Sequence, residues 1–231
     1  MEEKEKERTY VEDIDRNIYD IKDESKDSYR MQEGLTRDIV EKISNEKNDP
    51  DWVRELRFRS LDIYNSMPVP DWGADISGLD MDHISTYVRP NTKMSAKWSD
   101  VPEEIKNTFE RLGIPQAERE SLAGVGAQYD SELVYHNVKK EVSDQGVIYT
   151  DMESALTGSY ADLVKQKFMK LIPPEDHKFA ALQGAVWSGG SFVYVPAGVK
   201  VSIPLQSYFR LNAPGAGQFE HTLIIVEDGA D

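Results

Sequence analysis

The side chains that could bind a metal ion or a phosphate group are few and widely separated in this sequence. Histidine occurs at His83, His136, His177 and His221, without the H-x-H or H-E-x-x-H spacing that chelates a metal. The chain has no cysteine, which excludes disulfides, thiolate nucleophiles and cysteine ligands for a metal or cluster within it. The glycine-rich Ser188–Ser191 lacks the Gly-Lys-Ser/Thr ending of a P-loop and predicts a turn. We therefore expect no metal site in this chain.

A second glycine pattern imitates the fingerprint of dinucleotide-binding folds. Gly124 and Gly126 match the first two glycines, but Tyr129 occupies the third position and no strand is evident before them. The adjacent acids Glu103 and Glu104 point to different sides of a predicted helix, and the helix dipole favours them in its first turn. Neither pattern predicts a catalytic site.

One stretch near the end of the sequence combines polar side chains of long reach with a strand pattern. It comprises Gln206–Asn212 and, after a turn, Gly217–Thr222. Alternation in an extended strand places Arg210 and Asn212 on one face and Phe209 on the other. From this periodicity alone, Phe209 is expected in the core and Arg210 in solvent.

Short β-branched and aromatic runs, each followed by a turn, surround this polar stretch. The runs are Phe192–Val195, Val199–Ile203 and Thr222–Val226, and Gly146–Tyr149 is predicted to be an earlier strand. Strands of about five residues at near-regular spacing indicate an all-β barrel, sandwich or solenoid. Residues 146–231 are therefore predicted to form a β part.

The preceding residues are predicted to be largely helical. One helix begins at Thr36, which can act as its N-cap, and a second opens at Asn48–Pro50, with Asp49 as its N-cap and Pro50 at its first helical position. Further helices are predicted at Ser131–Glu141 and Asp162–Leu171. Three arginines of the second helix lie mostly outside its apolar stripe and are predicted to face solvent, namely Arg54, Arg57 and Arg59. The expected organisation is a mobile charged arm at residues 1–30, a helical domain at residues 31–145, and the β part.

Composition and charge limit the partners and the cellular location that can be expected for this protein. The 231 residues include 42 acidic and 27 basic side chains, which gives a net charge of −15. Nucleic-acid binding needs clustered Lys and Arg to displace phosphate counterions, so no nucleic-acid partner is expected. Residues 1–5 lack the apolar stretch of a signal peptide, and no segment approaches the roughly 18 apolar residues of a membrane span. A cytoplasmic protein without a membrane partner is expected.

Several long motifs can be recognised from about Gly34 onward. They are Pro50–Trp52, Pro70–Gly73, Thr108–Pro115, Leu122–Glu132, Gln145–Ile148, Lys178–Pro196, Tyr208–Asn212 and Gly217–Glu220. Together they resemble the SufB family, the scaffold subunits of the Suf (SufBCD) iron–sulfur cluster assembly complex. The related SufD proteins share the strand architecture but resemble the N-terminal half of this sequence much less. The resemblance implies an α+β chain, with a helical N-terminal domain followed by the first coils of a right-handed parallel β-helix at residues 146–231.

The resemblance also implies an assembly scaffold rather than a classical enzyme. The implied partners are the SufC ATPase, SufD, and a cysteine desulfurase that delivers sulfur through SufE or SufU. The implied product is an iron–sulfur cluster, and reduced flavin is a further cofactor considered for the complex. By family motif, Arg210 and Asn212 correspond to polar residues proposed to line a sulfur-transfer route inside the β-helix. His221 stands where many relatives carry Arg, which leaves its role open.

The family motif and the strand alternation predict opposite directions for the side chain of Arg210. Arg210 and Asn212 are expected to face the inside of the β-helix, while N-terminal helices cover Phe209 and Leu211 from outside. A buried guanidinium needs hydrogen-bonding partners, or its desolvation costs several kcal/mol. The side chains expected to supply these partners are Gln206, Gln218 and Glu220.

The resemblance places the Glu-Gly-Cys segment of the family just beyond Asp231. We therefore expect the chain alone to hold neither persulfide nor cluster, because both need thiolates. A solenoid needs about three repeats for stability, so we also expect self-association through Thr222–Val226. The alternatives are a β-solenoid carbohydrate-active enzyme and a cupin-like metal barrel. The first requires clustered Asp and basic residues and the second paired histidines, and neither pattern is visible before residue 231.

Overall fold

The computed structural model of the chain describes residues 29–91, 93–95, 97–111 and 124–231. Apart from Tyr29 and Arg30, the predicted charged arm lies outside these residues. The helices are α1 (Arg37–Glu46), α2 (Asp51–Ser66), α3 (Glu103–Arg111), α4 (Lys140–Ser143), α5 (Met152–Thr157), α6 (Ala161–Lys167) and α7 (Lys178–Val186). The strands are β1 (Tyr29–Arg30), β2 (Val88–Arg89), β3 (Gly124–Tyr129), β4 (Glu132–Val138), β5 (Ile148–Asp151), β6 (Ser191–Val195), β7 (Leu205–Arg210) and β8 (Leu223–Val226). The expected α+β class is confirmed.

The two three-stranded sheets share one pattern of strand directions. In the first sheet, of order β4-β3-β7, β3 pairs antiparallel with β4 and parallel with β7. In the second sheet, of order β5-β6-β8, β6 pairs antiparallel with β5 and parallel with β8. A short antiparallel pair of β1 and β2 stands apart from both. Both sheets are therefore mixed, and a parallel β-helix is not established by the described residues.

Several elements predicted from local patterns are confirmed, two are wrong, and α2 begins one residue later than predicted, with Pro50 and not Asp49 as its N-cap. Thr36 caps α1, since its hydroxyl accepts a hydrogen bond from the backbone nitrogen of Ile39. The helix predicted at Ser131–Glu141 is instead strand β4, which pairs with β3 and buries the apolar side chains of both strands. Val199–Ile203 is not a strand, but its apolar residues pack on the second sheet. At β4, burial against a partner strand outweighed the helix-like pattern.

Helices α2 and α7 pack closely on each other and form the centre of the helical part. Gly184 on α7 permits this contact, because a Cβ there would lie 2.4 Å from the hydroxyl oxygen of Ser60 on α2. One apolar cluster joins α1, α2 and α7. A second cluster joins α2 to α5, α6 and one face of the second sheet, around Trp187 and Phe192. Helix α3 packs separately on the first sheet, against β3 and β4.

Arg57 lies in this core, so the prediction that it faces solvent is wrong. Its guanidinium is fully buried and contacts the carboxylate of Asp49, with Nε 2.6 Å from Oδ2. It also donates to the carbonyls of Ala185 and Trp187 at the end of α7, at 3.3 and 2.9 Å. Carbonyls at a helix C-terminus have no partner within the helix and attract a cation. Arg57 therefore ties α2 to the end of α7.

Replacing Arg57 by Met should destabilise the fold by about 3–5 kcal/mol, because it leaves the buried Asp49 carboxylate without its cation. The matched control is Arg59→Met on the same helix, where the lost partner is the exposed Glu175. The control should cost less than about 1 kcal/mol. Urea unfolding followed by circular dichroism measures both values, and equal losses for the two variants would contradict the assignment.

Candidate functional site

The segment that follows β7 is fixed by Asp130, which forms the turn between β3 and β4. Oδ1 of Asp130 accepts hydrogen bonds from the backbone nitrogens of Asn212 and Ala213, at 2.7 and 2.9 Å. The backbone nitrogen of Asp130 donates to the carbonyl of Arg210 at 2.8 Å. Asp130 is 1% exposed and Asn212 is 5% exposed. Hydrogen bonds to a carboxylate are strong where water is excluded, so Asp130 fixes the chain at both predicted sulfur-route residues.

Gln128 extends this contact to the glycine-rich turn before β6. It is fully buried, and its Nε2 donates to the carbonyls of Asp130 and Ser188, at 3.1 and 3.4 Å. Its Oε1 accepts from the backbone nitrogen of Gly190 at 2.9 Å. Gly189 has a φ of 71°, and a Cβ there would lie 2.3 Å from Oε1 of Gln128. The turn therefore needs glycine at this position both for its backbone conformation and for space.

The three residues predicted as partners of Arg210 (Gln206, Gln218 and Glu220) form different kinds of hydrogen bond. Nε2 of Gln218 donates to the carbonyl of Asp130 at 2.7 Å and lies 3.4 Å from the carbonyl of Arg210. Glu220 and Gln206 take part through their backbone carbonyls, which accept side-chain hydrogen bonds from other elements. We refer to the side chains of Gln128, Asp130 and Gln218 as the Asp130 network.

Alternate residues of β7 face two different environments. Leu205, Ser207 and Phe209 line a cavity of about 430 Å³ that β7 shares with the second sheet. Tyr208 packs on the opposite side, against the apolar cluster of α3 and the first sheet. Arg210 follows Tyr208 in the strand alternation and is partly buried. Phe209 rather than Arg210 therefore lines this cavity.

Phe209 and Leu211 are 39% and 40% exposed. The N-terminal helices therefore leave a large part of both side chains uncovered, in contrast to the expected cover. The assignment of Arg210 and Asn212 to a sulfur-transfer route stays a prediction. The space that Arg210 would face lies on the Tyr208 side of the first sheet.

Three hydroxyl groups connect the two sheets at the inner end of the cavity. The hydroxyl of Tyr149 on β5 lies 2.6 Å from Oγ of Ser207 on β7 and donates to the carbonyl of Gln206 at 2.8 Å. Oγ of Ser207 lies 3.0 Å from Oγ of Ser191 on β6. The remaining lining is mostly aliphatic, from β6, β8 and residues 201–205. The cavity is thus an apolar space with a polar end.

The two glycines that imitate a nucleotide-binding fingerprint have a packing role in the structure. They lie in β3, and the ring of Tyr149 crosses from the second sheet to rest on them. A Cβ at Gly124 would lie 2.6 Å from the Tyr149 ring, and a Cβ at Gly126 would lie 2.8 Å from its hydroxyl oxygen. Any larger residue at either position would displace Tyr149 from its contact with Ser207.

A buried cation joins α1 to the same turn region. Nζ of Lys47 lies 2.7 Å from Glu132 on β4 and 3.1 Å from Glu153 on α5. Glu153 in turn accepts a hydrogen bond from the backbone nitrogen of Gly189 at 2.8 Å. Burial alone would lower the pKa of Lys47, but Glu153 and Glu132 raise it above its ordinary value. Lys47 therefore stays protonated and links the helical part to the Gly189 turn.

His221 is the second titratable residue of this region with an unusual environment. Its ring stacks on Phe168 at 4.0 Å and lies 6.0 Å from the ring of Trp187. Its backbone nitrogen donates to the carbonyl of Gly189. Burial lowers the pKa of His221 to about 4. At neutral pH the side chain is an uncharged ring in an aromatic contact.

Within the described part of the chain, no group of three or more His, Cys, Asp or Glu side chains is arranged to hold a metal ion. A helix long and apolar enough to cross a membrane is likewise absent from residues 29–91, 93–95, 97–111 and 124–231. The site therefore consists of hydrogen-bonded turns, an apolar cavity and a partly buried arginine.

Comparison with known proteins identifies the family to which these motifs belong. The family model described as the SufBD protein N-terminal region matches residues 83–207. The chain is 50% identical over 218 residues to the iron–sulfur cluster assembly protein SufB of Bacillus subtilis, which is 94% of this chain and 47% of the relative. It is also 50% identical over 212 residues to an iron–sulfur cluster assembly SufBD family protein of Staphylococcus aureus, which is 92% of this chain and 45% of the relative.

The chain belongs to the SufBD family. It spans about half of the length of these curated relatives. The matched range includes β3 to β6, with the Asp130 turn and the Gly189 turn, and ends within β7. These relatives carry names from iron–sulfur cluster assembly, which gives no support to a carbohydrate-active enzyme.

Sequence reasoning identifies two residues of this SufBD site and misses the residues that hold them in place. Arg210 and Asn212 stand out in the sequence, whereas Asp130, Gln128 and Tyr149 appear there only as members of motifs or strands. A signal for Asp130 exists in the sequence, since aspartate favours turns and tolerates positive φ. The residue has a φ of 53°. Its contact with Asn212, 82 positions away, has no local signal.

Replacing Asp130 by Ala should destabilise the SufBD fold by about 2–4 kcal/mol, because two buried backbone N–H groups lose their acceptor. Asp130→Asn is the matched control, since its amide oxygen can accept the same two bonds and Asn also tolerates positive φ. Hydrogen exchange should accelerate at the amides of Asn212 and Ala213 in the Ala variant and far less in the Asn variant. Unchanged exchange in the Ala variant would contradict the network.

Stability should fall as the pH is lowered from 6.5 towards 4 because of His221. Its pKa is about 4 in the fold and 6.5 in the unfolded chain, so the unfolded state binds more protons in this window. The loss should reach about 3 kcal/mol at the low end, since one pKa unit equals about 1.4 kcal/mol.

His221→Phe keeps the ring contact with Phe168 and removes the titration. The variant should lose less stability than the parent between pH 6.5 and 4.5 in urea unfolding. Burial also lowers the pKa of His136, but His136 is present in both proteins, so the difference reports His221. Parallel pH profiles for the two proteins would refute the burial of a neutral His221.

Proposed function

We propose that this chain takes part in iron–sulfur cluster assembly as the N-terminal half of a SufB-type scaffold. The observation that carries the proposal is the 50% identity over 94% of the chain to a relative named as SufB. The identity extends over residues outside the family-model match, so it includes the helical part as well as the strands. The proposed role is sulfur transfer and building of the nascent cluster, with the cluster as cargo.

We propose further that residues 146–231 begin a right-handed parallel β-helix, and that residues 31–145 form a largely helical domain before it, which also supplies β3 and β4 to the first sheet. Two features support this proposal. Strands β7 and β8 each extend a sheet in parallel, β7 beside β3 and β8 beside β6. Side chains of both strands line the same cavity, including Phe209 and Ile224. Parallel strands stacked on two facing sheets are the arrangement from which a solenoid grows.

The proposed sulfur-transfer route includes Arg210 and Asn212. Support comes from Asp130, whose buried carboxylate accepts a hydrogen bond from the backbone nitrogen of Asn212 and whose own backbone nitrogen donates to the carbonyl of Arg210. A cationic guanidinium at the end of β7, where the main chain is held in place, can attract and orient an anionic sulfur species such as a persulfide. The sulfur-accepting cysteine would have to lie outside these 231 residues, because the chain contains none.

The partners in this proposal are SufC, SufD and a cysteine desulfurase with SufE or SufU, acting in the cytoplasm. The relatives' names support the assembly pathway and go no further. The expectation of a reduced flavin has no support in the relatives' names, and it is not part of the proposal. The scaffold role, in place of catalysis by residues of this chain, agrees with an assembly family.

A chimera tests the proposed function directly. In it, this chain replaces the matching N-terminal segment of the Bacillus subtilis SufB relative, whose own second half is kept. The chimera should bind SufC and SufD and assemble a cluster when given desulfurase, iron and reductant, measured by visible absorbance and acid-labile sulfide. The 231-residue chain alone should hold no persulfide under the same conditions, since it has no thiol.

Within the chimera, Arg210→Ala should reduce sulfide incorporation about tenfold or more while unfolding stability stays close to that of the parent. Arg37→Ala is the control, because Arg37 is an exposed cation on α1 far from the turn in sequence. A chimera that folds and binds SufC and SufD but forms no cluster would contradict the proposed function. Full sulfide incorporation in the Arg210 variant would remove Arg210 from the route.

A further inference from the structure

A groove lined by both apolar and polar side chains lies at the end of the helical part away from the glycine-rich turns. It encloses about 450 Å³ and is formed by the end of α2, the loop of residues 67–80 and the start of α7. Its apolar lining comes from Tyr64, Val69, Ile76, Leu79, Met81 and Phe179. Val69 and Leu79 are 54% and 46% exposed, although both are aliphatic.

Trp72 extends this apolar surface beside the groove. It is 74% exposed, which is unusual for the largest apolar side chain. Its ring meets the ring of His177 edge-on at 5.9 Å, and His177 in turn lies 6.3 Å from the ring of Phe179 in the groove lining. The exposed tryptophan is therefore placed next to the groove by a row of aromatic contacts.

The loop that forms the groove is acidic, and two of its aspartates, Asp80 and Asp82, line the groove. Residues 68–83 contain Asp71, Asp75, Asp80 and Asp82 and no Lys or Arg, and all four aspartates are exposed. Hydrogen bonds from Ser77 lower the pKa of Asp75, and a hydrogen bond from His83 lowers that of Asp80, so both are ionised at neutral pH.

The cation in the groove lining does not offset this charge. Nζ of Lys178 donates to the carbonyls of Tyr64 and Met67 at 2.8 Å each, and it lies 4.1 Å from the centre of the Tyr64 ring. Its charge is thus directed at the C-terminal end of α2, where helix carbonyls need donors. An occupant of the groove would meet apolar side chains together with the carboxylates of Asp80 and Asp82.

We propose that this groove binds a basic amphipathic segment of a partner protein, with large apolar side chains in the groove and Lys or Arg against the aspartates. Charge complementarity selects this occupant. A second copy of the chain, with a net charge of −15 and the same acidic loop, would be repelled. An anionic membrane surface would be repelled for the same reason. The proposal stands on this surface alone and does not depend on the sulfur route.

Synthetic peptides of opposite charge test the proposal. The probe is a 14-residue peptide with Leu at helical i, i+3, i+4 and i+7 spacing and Lys elsewhere, compared with the same peptide carrying Glu for Lys. The chain is captured at low density through an N-terminal tag on a surface plasmon resonance sensor, so that self-association does not contribute. The Lys peptide should bind saturably and the Glu peptide should not.

Matched pairs of variants locate the binding. The double variant with Val69→Ser and Leu79→Ser should bind the Lys peptide at least about tenfold more weakly, because two apolar contacts are lost. The control is Leu171→Ser with Ile172→Ser, whose side chains are 95% and 57% exposed outside the groove lining, and it should leave affinity unchanged. The double variant with Asp71→Asn and Asp82→Asn should also bind the Lys peptide more weakly. Its control is the double variant with Glu227→Gln and Asp228→Asn on the turn after β8, which should keep the parent's affinity.

Tryptophan fluorescence provides a second readout. Trp72 is far more exposed than the buried Trp187, so peptide binding should shift the emission to shorter wavelength and protect it from acrylamide. Both effects should disappear in Trp72→Phe.

Four results would overturn the proposal. They are absence of saturable binding of the Lys peptide, equal binding of the Glu peptide, retention of affinity in the Val69 and Leu79 variant, and groove-dependent binding to phosphatidylglycerol vesicles. The last result would assign the surface to a membrane instead of a protein.

Discussion

The buried carboxylate of Asp130 is the contact on which the arrangement of the two sheets depends. It accepts two backbone hydrogen bonds from the segment after β7, and Gln128 connects the same turn to Gly190 before β6. An unpaired backbone N–H in a buried position is costly, so these polar side chains specify one course for the chain. Without them, apolar packing alone would hold the turns, and packing is far less selective about direction.

Two buried cations extend this connection to the helical part. Arg57 joins α2 to the end of α7, and Lys47 joins the end of α1 to Glu132 and Glu153. Both act where helices or turns leave backbone or carboxylate oxygens that need donors. Buried ion pairs add little net stability over apolar side chains, but removing one partner is very unfavourable. They therefore favour a single packing of helices on strands, and the residues around the Gly189 turn are held from both sides.

The surface of this SufBD protein divides into regions with different chemistry. The cavity beside β7 and β8 is apolar, with hydroxyl groups at one end, and belongs to the strand part. The groove between α2 and α7 combines apolar side chains with the carboxylates of Asp80 and Asp82 and belongs to the helical part. Helix α7 begins at the groove, which Phe179 lines, and ends at Trp187, which packs beside Phe192 on the face of β6 opposite the cavity.

The sequence by itself determined the elements whose signals are local. Thr36 as a cap, the start of α2 near Pro50, the strand within Phe192–Val195 and the family motifs all follow from neighbouring residues. Tertiary structure decided β4, which has a helix-like pattern but gains a partner in β3, and the burial of Arg57, whose partners Ala185 and Trp187 lie about 130 positions away. It also decided that Gly124 and Gly126 support Tyr149 and that Asp130 holds Asn212. Local patterns report backbone preference and the hydrophobic face of a single element. Which polar groups must be satisfied in the interior depends on the elements that meet there.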